Sequence, residues 1–66
     1  MMQLTVNGET RSFQGDSLSG LLADLKLDGK PCAVEINRTL VPAREHGERR
    51  LVDGDIIEIL TLVGGG

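Results

Sequence analysis

One stretch of this chain repeats with the period of a helix, and it dictates what the rest must supply. Leu18, Leu21, Leu22 and Leu25 recur at i, i+3, i+4 and i+7, so they line one stripe of a single amphipathic helix. Ser17 is placed to cap its N-terminus. Asp28-Gly29-Lys30-Pro31 ends it, with Gly29 predicted as the C-terminal cap and Pro31 blocking continuation. Gly20 weakens the helix by ~1 kcal/mol against Ala; it either allows a close approach or is simply tolerated. A lone apolar stripe in a chain of 66 residues needs one apolar sheet face to cover it.

The core available to that pairing is thin. There is one Phe and no Trp or Tyr, so the inventory is Leu, Ile and Val. Each contributes ~1.5–3 kcal/mol when fully buried, against ~1–2 kcal/mol per residue for ordering the backbone. One Cys gives no internal disulfide framework, and no Cys/His cluster suggests a structural metal. An efficient fold is required, with a helix laid across a sheet. The net charge of −3, with both signs interspersed, argues against a nucleic-acid binder. No apolar run is long enough to cross a membrane, and Met1-Met2-Gln3-Leu4 does not open a secretory signal. A cytoplasmic protein, monomeric when free, is expected.

The remaining segments read as strands. Met2-Gln3-Leu4-Thr5-Val6 alternates apolar and polar, Asn7-Gly8 suits a type I′ turn, and Glu9 to Phe13 returns. Met2, Leu4, Val6 and Phe13 are expected to point inward. Cys32 to Asn37 is predicted as the third strand, with Cys32, Val34 and Ile36 on the core side. Thr39-Leu40-Val41 is a short fourth strand, closed by Pro42 as suits an edge. Residues 43–50 are polar and irregular. Leu51-Val52 returns to the core, and Asp53-Gly54-Asp55 turns into the last strand. The order is β-β-α-β-β-β. The last strand should lie beside the first, in parallel, at the centre of a mixed sheet of four to five strands crossed by one helix. This is an α+β chain with the β-grasp, or ubiquitin-like, arrangement over residues 1–63.

The last strand, Ile56-Ile57-Glu58-Ile59-Leu60-Thr61-Leu62-Val63, feeds into Gly64-Gly65-Gly66. Residues 64–66 are predicted to be a flexible tail. Glycine has no Cβ, so Gly64 and Gly65 can thread a passage closed to any side chain. Three residues reach roughly 10 Å, enough to place the Gly66 carboxylate inside a partner's active site. The same pattern is also what a frayed terminus looks like. If Ile57, Ile59, Thr61 and Val63 face the core, Glu58, Leu60 and Leu62 face the other side. They then form a partner-docking surface beside the tail, unless the 43–50 loop covers them.

Taken together, these residues resemble the ThiS family, the sulfur carriers of thiamin biosynthesis. The resemblance spans essentially the whole chain. It rests on Val6-Asn7-Gly8, Leu21-Leu22, Ile36-Asn37, Val41-Pro42, Asp53-Gly54-Asp55, Ile57-Glu58-Ile59 and the Gly65-Gly66 end, with Gly20 as a departure. It implies that Gly66 is adenylated by a ubiquitin-activating-like adenylyltransferase using ATP and magnesium. Sulfur from a cysteine desulfurase, relayed as a persulfide, then yields a terminal thiocarboxylate, and thiazole synthase takes the sulfur. On this reading the chain is a co-substrate with no catalytic residue, bound metal or bound cofactor of its own. The small subunit of molybdopterin synthase uses similar chemistry, but the compact 37–55 region argues against it. A ubiquitin-like modifier or plain interaction module is a third reading.

Cys32 is a rival sulfur carrier, but its strand phase suggests a buried, inert thiol. His46, among Arg44, Glu45, Glu48 and Arg49, lacks metal-ligand spacing and reads as part of a solvated loop. Arg38, Arg44, Arg49 and Arg50 either dock an acidic patch or form a solvated face balanced by nearby Glu.

Overall fold

The computed structural model describes residues 1–61. Strands β1 (Met2–Val6) and β2 (Glu9–Phe13) form a hairpin. Helix α1 covers Leu18–Asp24. Strands β3 (Cys32–Ile36) and β4 (Thr39–Val41) form a second hairpin, a 3-10 turn follows at Ala43–Glu45, and β5 covers Ile56–Thr61. The sheet order is β2-β1-β5-β3-β4, with β5 parallel to β1 and antiparallel to β3. This is the β-grasp topology expected from the alternation, with β5 at the centre.

The two hairpins turn in the same way. Asn7 and Gly8 have φ of 50° and 85°, and Asn37 and Arg38 have φ of 52° and 70°. Paired positive φ values are what a type I′ turn demands. The third strand therefore ends at Ile36, one residue earlier than expected, because Asn37 is spent on the turn.

The helix begins as predicted. Ser17 is extended, and its Oγ accepts from the Gly20 N–H at 3.1 Å. A Cβ on Gly20 would lie 3.2 Å from that Oγ and 3.5 Å from the Phe13 ring, so glycine here permits a close approach. The helix ends earlier than predicted, and Gly29 is not its cap. Lys26 takes the left-handed conformation at φ 63°, its N–H donating to Ala23 O and the Leu27 N–H to Leu22 O. This double bond pattern is the Schellman ending, here with lysine where glycine is favoured. Reversing at Lys26 lets both Leu25 and Leu27 pack on the core. Gly29, at φ 77°, serves the following turn.

The core is one layer between α1 and the sheet. Leu18, Leu21 and Leu22 of the helix meet Leu4, Val6, Phe13, Val34, Ile36, Val41, Ile57 and Ile59 of the strands. Met2 and Cys32 pack against it half-buried. Leu51 is buried, but Val52, expected in the core with it, is exposed. Leu51 donates its N–H to Asp16 O, so its side chain points under the helix and its neighbour necessarily points away. No helix among the described residues is long and apolar enough to cross a membrane.

Candidate functional site

The candidate site is the strand that leads to the terminal glycines, together with the sheet face beside it. β5 starts from a fixed point. The Gln3 N–H donates to Asp53 Oδ1 at 2.6 Å, and the Gly54 N–H to Gln3 O at 2.7 Å. Gly54 sits at φ 92°, which closes the turn. Asp55 is buried, and both carboxylate oxygens are used: Oδ2 accepts from the Val52 N–H at 2.9 Å, Oδ1 from Asn37 Nδ2 at 3.0 Å. A buried carboxylate is tolerated when its lone pairs are satisfied in this way.

Two asparagines then hold β5 from either side. Asn37 Oδ1 accepts from the Ile56 N–H at 3.0 Å, and the Asn37 N–H donates to Ile56 O at 2.7 Å. On the other side, the parallel ladder with β1 has two paired positions, Thr5 with Ile56 and Val6 with Ile57. It is prolonged by a side chain. Asn7 Oδ1 accepts from the Ile59 N–H at 2.7 Å, and Nδ2 donates to Ile59 O at 3.2 Å. The amide of Asn7 thus acts as one more strand residue after the chain itself has turned away. Pairing with β3 runs from Ile57 opposite Ile36 to Thr61 opposite Cys32.

The outer face of β5 carries Ile56, Glu58 and Leu60, all exposed, with Leu60 at 65%. The alternation is as expected through Leu60, but Thr61, expected on the core side, is exposed at the end of the strand; the 43–50 segment leaves Leu60 uncovered. The register sets Leu40, Glu35 and Glu58 in one cross-strand row, and Ala33 beside Leu60 in the next. One shallow depression is lined by Ala33, Glu35, Leu40, Glu58 and Leu60, and an adjoining one by Glu35, Asn37, Arg38, Ile56 and Glu58. The sequence singled out Glu58 and Leu60 but missed Glu35, Leu40 and Ile56, because a single sequence does not state which residues face each other across strands. Leu62, Val63, Gly64, Gly65 and Gly66 lie outside the described residues.

The other sequence candidates are dispersed. Cys32 is half-buried at the start of β3 rather than fully buried, because it sits at the end of the β3–β5 ladder, opposite the exposed Thr61. His46 is partly buried, and its Nε2 lies 3.0 Å from Val41 O, tying the segment to β4 instead of facing solvent freely. No group of three metal-ligating side chains occurs among the described residues. Arg50 pairs with Asp16, and Arg11 with Asp24 at 3.2 Å. Arg38 lies on the rim of the outer-face depression.

Comparison with known proteins gives this arrangement a context. The ThiS family profile matches residues 4–66. The sulfur carrier protein ThiS of Thermus thermophilus is 34% identical over 61 residues, which is 92% of this chain and 95% of that one. A thiazole synthase of Paramagnetospirillum magneticum is 38% identical over 66 residues, 98% of this chain, and the chain spans only 20% of that protein's length. The crystal structure of a thiamine biosynthesis protein (ThiS) from Geobacter metallireducens superposes with a TM-score of 0.80 at 32% identity, covering 98% of this chain and 100% of that one.

Proposed function

We propose, because this chain belongs to the ThiS family, that its Gly66 carboxylate is the sulfur-carrying group. The protein is a sulfur carrier of thiamin biosynthesis, a co-substrate and not a catalyst. A carboxylate is a poor acyl donor because its leaving group is poor. Attack of the carboxylate on ATP, with magnesium in the adenylyltransferase's site, releases pyrophosphate and gives an acyl-adenylate. A persulfide, charged by a cysteine desulfurase, displaces AMP to give an acyl disulfide. A second thiol cleaves the sulfur–sulfur bond, leaves the thiocarboxylate on Gly66 and is itself oxidised to a disulfide. Thiazole synthase then accepts that sulfur.

The observation that carries this reading is the fixing of β5. A central strand gripped on both edges as far as Ile59 and Thr61 presents the segment beyond it from a rigid base. A rigid base lowers the cost of orienting the terminal carboxylate against its attacker. Gly64 and Gly65 thread the partner's passage. Glu58, Leu60 and Leu62 form the docking surface beside it. The match of this chain to one fifth of a protein named thiazole synthase supports thiazole synthase as the sulfur acceptor.

The test is the mass of the protein after incubation with ATP, its adenylating partner and a cysteine-desulfurase system. Exchange of one oxygen for sulfur resembles an oxidation in mass, so fragmentation must localise it to the terminal peptide. Sulfur at Gly66, absent from a Gly66 deletion, is the expected outcome. A terminus that is never adenylated would overturn the reading.

A further inference from the structure

We propose that the open face of β3, β4 and β5 is a socket for an arginine of the adenylating partner, with Glu35 and Glu58 as twin acceptors inside an apolar rim. This rests on the carrier reading above and specifies the chemistry of the partner.

The observation behind it is a pair of like charges placed opposite one another in the sheet. Glu35 and Glu58 face each other directly across β3 and β5. Like charges at such positions destabilise a sheet, with Cβ atoms only about 5 Å apart. The chain does not compensate them: the ion pairs among the described residues join Arg11 to Asp24 and Arg50 to Asp16, away from this face. Arg38 lines the same depression yet forms an ion pair with neither carboxylate. A cation from outside would convert the repulsion into two attractions. A guanidinium suits two carboxylates at this spacing, since its five donors form a planar fork and can serve both.

The surroundings strengthen the case. Of the exposed large apolar side chains, Leu40, Ile56 and Leu60 lie on this face, and only Met1 and Val52 are elsewhere among the described residues. An apolar rim excludes water from an ionic contact at its centre, which makes that contact stronger.

The tether sets how near the occupant must come. Five residues separate Thr61 from the end at Gly66, and at full stretch they span roughly 16–18 Å. Any partner holding the Gly66 carboxylate in its active site must therefore come that close to Thr61. Leu60 directly precedes Thr61, and Glu58 lies two residues before Leu60 on the same outer side of the strand, so a partner's body at that range meets this face.

The test is the steady-state kinetics of adenylation by the purified adenylyltransferase, read as pyrophosphate release against carrier concentration. The double variant Glu35→Gln/Glu58→Gln should raise KM by about tenfold, with kcat unchanged and a weaker dependence on salt. Its melting temperature should not fall, since a repulsion is removed. The control Glu9→Gln/Glu48→Gln changes exposed acids elsewhere at equal net charge and should leave KM unchanged. A parental KM in the double variant, with the parent adenylated normally, overturns the socket and leaves the carrier reading standing. A parent that is never adenylated removes both. A defect confined to sulfur delivery to thiazole synthase, or a concentration-dependent dimer that the variant dissolves, would give the face to another occupant and overturn the proposal.

Discussion

At the scale of single residues, asparagine does more here than turn the chain. Asn7 has a positive φ, which many side chains resist, and it also spends its amide on the backbone of Ile59. The two roles separate in one variant. Asn7→Gly keeps the turn, because glycine accepts the same φ, and removes the amide. It should cost about 1–3 kcal/mol in urea unfolding, as a backbone N–H and C=O of β5 lose their partners. Amide exchange at Ile59 should quicken more than at Leu4; equal protection at Ile59 in parent and variant would remove the clamp. Lys26 gives the opposite case. A lysine at φ 63° carries a steric cost that glycine avoids. Lys26→Gly should raise stability by about 0.5–1 kcal/mol, read as a higher urea midpoint with unchanged slope.

At the scale of elements, the sheet divides its labour by face. One face of β5 supplies Ile57 and Ile59 to the core; the other presents Glu58 and Leu60 to solvent. Leu60→Asp should therefore leave stability within about 0.5 kcal/mol of the parent, while weakening binding to the adenylyltransferase. An unchanged dissociation constant in the folded variant would free Leu60 of any docking role. Much of this was legible in the sequence. The leucine stripe placed α1, period-two alternation placed the strands, and the phase of Ile57 and Ile59 implied the exposure of Leu60. What escaped was non-local. The helix end moved from Gly29 to Lys26 because Leu25 and Leu27 both had to reach the core, and this demand outweighed glycine's local preference. The opposition of Glu35 and Glu58 depends on register, which tertiary packing decides. Val52 was misplaced because an apolar pair at a chain crossing can send only one member inward.

At the scale of the whole molecule, the two hairpins do not pair with each other. β1 and β3 each pair with β5, so the last strand in the sequence joins the two halves of the sheet. A chain ending before Ile56 would lose Ile57 and Ile59 from the core and expose the inner edges of both hairpins. It should show no cooperative unfolding and no dispersed amide spectrum; a folded 1–55 fragment would contradict this account of the sheet. The parallel pairing of Thr5 with Ile56 also joins positions about three quarters of the 66-residue sequence apart, which slows folding relative to local contacts. The order of the strands thereby acts during synthesis. A nascent chain leaves the ribosome N-terminus first, so the sheet can close only when the final strand emerges, and prematurely terminated products cannot reach the native state. Native shape in this protein therefore reports that β5 is present and paired on both edges.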